Sequence, residues 1–375
     1  MTERGFFDVI VIGGGLAGLT AALHLSRSDV SVLVIEKHTY PNHKVCGEYV
    51  SNEVLPYLKQ LGIDPMAHGA RDIRRFEITQ TNGERLTSKL PMGGFGISRY
   101  KLDNLFYEHA RDRVTFQFDT VTRVAFHEGE FHIYTKKKAH FVSRFVVGAH
   151  GKRSGIDISL DREFIREKSP WLGVKAHYEA DFPDDMVALH NFEGGYCGLS
   201  KTETGSVNAC FLVAYDSFKR HGDLDAFQKS VLSSNPYLRR FFEQGRPVFD
   251  KPLTISQISF AKKAPVEQHI LMAGDSAGLI HPLCGNGMAM AVHSAKLLSE
   301  LLLEAFSAGN INRKGLEEKY TKAWKSHFSK RLYAGRIIQN LLLKPRTSTL
   351  GFKVAKTFPG VIPFIIKQTH GEVLA

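Results

Sequence analysis

The 375-residue chain is predicted to be an α/β protein. A three-layer, Rossmann-like dinucleotide-binding domain is interrupted by a mixed or antiparallel sheet domain and followed by a helical C-terminal segment. Three observations lead there. The N-terminus carries an apolar run, a glycine cluster, a helical pattern and a second apolar run, in the order of a strand–helix–strand unit built around a phosphate. Between residues 172 and 214, short apolar runs separated by glycine and polar breaks follow one another as strands do. From Gly287 onward, apolar residues recur at helical spacing over two long stretches.

In order along the chain, residues 7–12 form the first strand, 16–26 the first helix and 31–35 a second strand closed by Glu36. A short helix over 53–61 precedes a hairpin over 73–87, centred on Asn82-Gly83, a pair suited to a two-residue turn with positive φ. A helix over 101–111 follows, then strands over 114–117, 121–127, 131–135 and 141–149. The second sheet draws on 172–180, 186–192, 196–200 and 206–214, and helices over 224–232 and 237–244 lead to strands at 253–260 and 269–273. Helices over 287–305 and 315–343 complete the pattern. The dinucleotide domain is therefore assigned 1–72, 98–165 and 262–312, the sheet domain 73–97 and 166–261, and the helical segment 313–375.

Composition narrows the function classes. Lys and Arg number 49 against 38 Asp and Glu, a surplus that favours anionic partners such as a dinucleotide, an acidic carrier protein or a peripheral membrane surface. The basic residues are scattered without a nucleic-acid motif, so nucleic acid is not expected. The cysteines, Cys46, Cys197, Cys210 and Cys284, are irregularly spaced, which argues against a disulfide scaffold or a metal site and for a reducing compartment. The first strand begins too early for a signal peptide, so a cytoplasmic location is expected.

The chemistry is carried by two constellations. Gly13-Gly14-Gly15-Leu16-Ala17-Gly18 is GxGxxG between a strand and a helix. Gly13 permits the tight turn, Gly15 lets a pyrophosphate approach the helix N-terminus, and Gly18 lets the helix pack closely on the sheet. Glu36, 18 residues beyond Gly18, suits a ribose diol and favours FAD or NAD over NADP. Ala17 and Lys37 are counted with them as cofactor-contacting positions. The second constellation is His269-Ile270-Leu271-Met272-Ala273-Gly274-Asp275, followed by Gly285-Asn286-Gly287-Met288 and a long helix.

That second stretch resembles the second FAD fingerprint of flavoproteins with the p-hydroxybenzoate hydroxylase fold, and Lys44-Val45-Cys46-Gly47-Glu48 resembles the KxCGG motif of their geranylgeranyl reductase group, with Glu48 in place of the second glycine. The resemblance covers most of residues 5–310. It implies FAD as cofactor, with Gly274 and Asp275 at the ribityl chain and Gly285, Asn286, Gly287 and Met288 bringing backbone N–H groups to the flavin. It further implies Lys44 and Cys46 beside the ring, Arg99 at the phosphates or ribitol, and the backbone of Val121 at the adenine. Tyr196 stands where the group carries an aromatic segment over the substrate, whose Trp, Phe and Pro are replaced here by Gly198, Ser200 and Lys201. Cys46 and Tyr196 are accordingly the candidate catalytic residues. His150 replaces the Asp of the hydroxylases' Asp-Gly motif, which leaves the mode of NADPH binding open.

The expected activity is that of an FAD-dependent oxidoreductase on a small apolar or aromatic substrate, isoprenoid-, lipid- or polyketide-like, with NAD(P)H or another reductant as electron donor. Reduction of C=C by hydride from flavin N5 is the first reading. An aromatic monooxygenase using O₂ is the second, and a non-catalytic flavin-binding protein the third. Beyond about Lys314 the chain is helical and basic and ends in residues 358–367; this tail could cap the substrate tunnel or touch a membrane surface, and packing on the protein itself is expected because its prolines interrupt a long amphipathic helix.

Overall fold

The computed structural model describes residues 5–309 and 311–375. Its first sheet is built on parallel strands, with Gly5–Ile12 lying between Val32–Glu36 and His140–Gly148. Thr115–Phe118 extends one side and Ile270–Met272 the other. Residues 9–12 and 32–35 are apolar without interruption and buried, as a parallel sheet covered on both faces requires. Helix Leu16–Leu25 packs against Arg99–Ala110 and the long helix Gly287–Ser307. The hairpin Val121–His127/Glu130–Thr135 joins this sheet through the antiparallel pairing of its second strand with His140–Gly148.

The second sheet has nine strands. Met186–Phe192 runs parallel to Arg71–Thr79 and so stitches the two insertions into one sheet. Trp171–Glu179, Val207–Ala214, Gly195–Lys201 and Met186–Phe192 are otherwise an antiparallel series. Tyr49–Ser51 pairs with Arg85–Gly96 in this second sheet, although it lies within the segment 1–72 assigned above to the first domain.

Two local expectations are corrected. The Asn82-Gly83 connection is wider than a two-residue turn. The Asn82 side chain accepts from the Glu84 N–H at 3.0 Å, and of the pair only Gly83 takes a positive φ, 82°. The strand expected to reach residue 260 stops at Ser256, because Gln257 turns into the left-handed region at φ 57°.

Helix Arg313–Leu343 is followed by two shorter helices, Pro345–Thr357 and Val361–Thr369, broken by Pro359-Gly360. This tail folds back onto the body. Glu53 accepts from the Gly371 N–H at 2.7 Å and pairs with Arg331 at 3.2 Å, and its backbone carbonyl accepts from Leu374. Among the described residues no single helix is long and apolar enough to cross a membrane.

Candidate functional site

The glycine cluster separates into fold-bearing and open positions. Gly13 has φ 102°, and a Cβ there would lie 2.5 Å from the Ala149 carbonyl oxygen; a Cβ at Gly18 would lie 1.9 Å from that of Gly13. Both glycines are demanded by the fold. A Cβ at Gly15, by contrast, would meet nothing closer than Arg99 Nη2 at 3.8 Å and Lys44 Nζ at 4.0 Å. Gly15 also caps helix Leu16–Leu25 without any side-chain bond to its free N–H groups.

Arg99 and Lys44 share one counter-ion. Arg99 reaches Asp103 through Nε and Nη2, both at 2.7 Å, and Lys44 Nζ reaches it at 2.9 Å. Burial opposes the charge on Arg99, but the Asp103 carboxylate outweighs it and the guanidinium is held charged. Two cations, one carboxylate and the positive end of a helix dipole leave net positive charge around an open space. An anion such as a pyrophosphate fits that balance.

Glu36 is fixed at the same end: its two oxygens accept from the Gly14 N–H at 2.6 Å and the His38 N–H at 3.1 Å. Glu36, Lys37 and Ala17 all line the cavity. Val121 does not. It is buried in the core of the first domain beside a register shift in its hairpin, so the structure does not bring it to the other site residues.

Gly274 (φ 59°) approaches the first helix closely, since a Cβ there would lie 3.0 Å from the Ala17 Cβ. Its N–H donates to Ser294 Oγ at 2.8 Å, and Asp275 next to it lines the cavity. Lys263 Nζ donates to the carbonyls of Asp275 and Lys152, both at 2.8 Å, and burial lowers its pKa to about 8. Gly285, Gly287 and Met288 line the cavity at the uncapped N-terminus of helix Gly287–Ser307. The Asn286 side chain is fully buried and turned toward the tail, donating to the Thr369 carbonyl at 2.6 Å. Its role here is to anchor the C-terminal helix.

Gly15, Glu36, Lys44, Arg99, Asp275 and Gly287 border one continuous cavity of about 970 Å³, which also takes in Cys46 and an apolar chamber. Phe76, Ile78, Leu189, Leu212 and Ile255 line that chamber, and Phe352 of the tail closes it. Tyr196 stands in its wall, where its hydroxyl oxygen accepts from the Leu283 N–H at 3.0 Å. Burial pushes this phenol well above its ordinary pKa. Cys46 is half-buried and receives a bond on its carbonyl from Asn208 Nδ2 at 3.2 Å. Cys210 also lines the cavity, its thiol raised by burial to about 12.

Sequence reasoning missed the buried cluster under this loop. Glu48, standing where the similar motif has a glycine, takes a left-handed backbone, φ 56°. Its fully buried carboxylate accepts from the Arg99 N–H at 2.7 Å, from His177 Nε2 at 2.6 Å and from Lys175 Nζ. Burial pushes the carboxyl up, but the His177 hydrogen bond and the Lys175 charge outweigh it and the net shift is downward. His43, Glu48 and His177 could by geometry hold a metal ion, their ligand atoms lying within 4.8 Å of one another, but the Lys175 ammonium already supplies the cation that Glu48 needs. The departure from glycine at position 48 was the available signal; its partners on Trp171–Glu179 left none. His150, in the cavity wall, makes a structural bond to Asp157 at 3.0 Å, and Asp157 is held at about 2, burial being outweighed by His150 and Arg162.

Comparison with known proteins agrees with this layout. The family model described as an FAD binding domain matches residues 7–323. A digeranylgeranylglycerophospholipid reductase of Methanosarcina acetivorans is 24% identical over 368 residues, covering 92% of this chain and 87% of the relative. A menaquinone reductase of Mycobacterium tuberculosis is 25% identical over 316 residues, covering 79% and 76% respectively. The structure of the flavin-dependent brominase Bmp2 superposes with a TM-score of 0.79 at 18% identity, over 97% of this chain and 93% of that one, a likeness of fold.

Proposed function

Because the chain belongs to the FAD-binding-domain family, as an FAD-dependent oxidoreductase of the p-hydroxybenzoate hydroxylase fold, we propose that it reduces a carbon–carbon double bond of an apolar, isoprenoid- or polyketide-like substrate. FAD, when bound, supplies the hydride, after reduction by NAD(P)H or another donor. The chain's own residues do the rest. Gly15, Arg99 and Lys44 receive the pyrophosphate, Glu36 the ribose and Asp275 the ribityl hydroxyls. The uncapped N-terminus at Gly287 offers N–H groups to the negative charge of a reduced ring. Cys46 borders the passage between the phosphate end and the apolar chamber, and the chamber walls exclude water from the substrate.

One observation carries this reading: a single cavity joins the charged cradle at Gly15 to an apolar chamber closed by the tail. The reductases of Methanosarcina acetivorans and Mycobacterium tuberculosis, both similar over most of the chain, support it.

Two measurements test it. Gly15→Val is expected to fold, since the added carbons enter open space, and to be purified without flavin colour; a yellow variant would remove the pyrophosphate assignment. Anaerobic turnover of a polyene by the reduced wild-type protein is expected to continue with gain of two hydrogens in the product. Arrest without O₂ and resumption with an oxygenated product would establish the monooxygenase reading instead. Reduction without product under either gas would leave a flavin-binding protein only.

A further inference from the structure

Residues 319–371 contain eleven Lys or Arg and no Asp or Glu, so this stretch accounts for the entire net charge of +11 and the rest of the chain is balanced. Three of these cations are spent internally, Lys319 on Glu304, Arg331 on Glu53 and Lys356 on Glu84. Lys344 precedes the first of the two last helices, Arg346 and Lys353 lie on it, and Lys367 lies in the last turn of the second.

The same region holds most of the large exposed apolar side chains. Tyr333, Ile337 and Leu341 repeat every fourth residue along Arg313–Leu343, and Leu350, Val354 and Phe358 do so along and just beyond Pro345–Thr357. Phe364 and Ile365 follow on Val361–Thr369. Leu350, Phe358 and Phe364 are 61%, 62% and 63% exposed. The two tail helices together have the length and apolar content of a membrane segment, but they are bent by 116° at their break rather than forming one straight helix. Four of these exposed residues, Leu341, Leu350, Val354 and Ile365, also line the cavity. The apolar patch is thus the rim of the chamber's mouth.

We propose that the tail helices seat the protein on an anionic lipid surface, with the mouth of the chamber facing the acyl chains so that an apolar substrate enters from the lipid phase. Clustered aromatic and aliphatic side chains bordered by Lys and Arg, without acids, are the pattern of an interfacial helix, whose apolar side sinks into the headgroup boundary. An acidic protein partner would be recognised by the cations but gives no reason for the exposed Phe358 and Phe364. The seating does not depend on the redox reading, and its test uses no turnover.

The flavin-loaded protein is floated with vesicles of phosphatidylcholine alone and of phosphatidylcholine mixed with phosphatidylglycerol. Binding is expected only to the mixed vesicles, weakening as salt rises, and falling on the order of fivefold for each of Lys344, Arg346, Lys353 and Lys367 changed to Gln. The pair Phe358→Asp and Phe364→Asp, at exposed positions outside the cavity lining, is expected to abolish binding while melting temperature and flavin absorbance stay unchanged. No binding to the mixed vesicles at low salt overturns the proposal. So does binding that survives the Phe substitutions but not the Lys changes, which would point to an acidic protein partner. Concentration-dependent dimers lost with the same Phe substitutions, without vesicle binding, would assign the patch to a second copy of the chain.

Discussion

The two sheets differ in what they bury. In the parallel sheet the buried residues are a near-unbroken apolar set, such as Val9, Ile10, Val11, Leu33, Val34, Val146 and Val147. In the nine-stranded sheet, Lys175, His177, His190, Ser200 and Asn208 are buried beside the aliphatics. Apolar burial is non-directional and redundant, each large side chain contributing about 1.5–3 kcal/mol whatever its exact neighbours. Buried polar groups are stable only against particular partners. Those partners are remote: Glu48 lies 127 residues from Lys175 and 129 from His177, Thr79 lies 111 from His190, and Cys46 lies 162 from Asn208. The parallel sheet is therefore robust to single conservative changes, and the nine-stranded sheet is brittle where charges meet.

The largest effect is expected at Glu48. Glu48→Ala leaves the Lys175 ammonium buried without its carboxylate, and should cost about 3–5 kcal/mol of stability in urea unfolding. Glu48→Gly relieves the left-handed backbone but not the charge, and should recover only about 1 kcal/mol of that loss. Ile10→Val in the parallel sheet should cost about 0.5–1.5 kcal/mol. Equal losses at positions 10 and 48 would break the contrast between the sheets. The pH dependence has a defined sign. The folded-state pKa of Glu48 is below its unfolded value, so its stabilisation is present at neutral pH and is lost as pH falls through the folded value. Glu48→Gln should flatten the acid limb of the stability curve.

The same contrast explains what could be read from the chain alone. The strand–GxGxxG–helix–strand unit is local, and its boundaries fell within one or two residues of the observed Gly5–Ile12, Leu16–Leu25 and Val32–Glu36. Gly15, Glu36 and Asp275 could be named because backbone requirements and short spacings define them. Val121 lies away from the cavity, beside a register shift that its hairpin does not announce, and the Asn286 side chain finds its partner on a tail 83 residues away, which no local spacing could show. Lys175 and His177 carried no signal beyond their place in the strand assigned to 172–180, since nothing in 171–179 announces a carboxylate from the Lys44–Glu48 loop. The tail's helices were obscured by Pro345, Pro359 and Pro363, which here start or break helices rather than prevent them.

At the nucleotide end the effects should fall on affinity rather than stability. Asp275→Ala is expected to weaken FAD binding by about 1–3 kcal/mol, the scale of a lost charged hydrogen bond. Its backbone carbonyl still accepts from Lys263, so the turn Gly274–Ser276 should persist and the melting temperature of the apoprotein should hardly move. A flavin titration of reconstituted apoprotein reads the difference. Unchanged affinity would take the ribityl role from Asp275.

The smallest effect is expected where the two regions meet, at Tyr196. Its hydroxyl on the second sheet accepts from Leu283 in the turn that leads to Gly285 and the long helix of the first domain. Tyr196→Phe removes that acceptor and leaves the Leu283 N–H without it, so the expected loss is about 1 kcal/mol. Because burial raises the phenol well above its ordinary pKa, Tyr196 is a weak acid at neutral pH and its removal should leave kcat nearly intact while melting temperature falls slightly. A fall in kcat of about 100-fold or more, with flavin affinity unchanged, would instead make the phenol the general acid and move Tyr196 from the joint between the sheets into the chemistry.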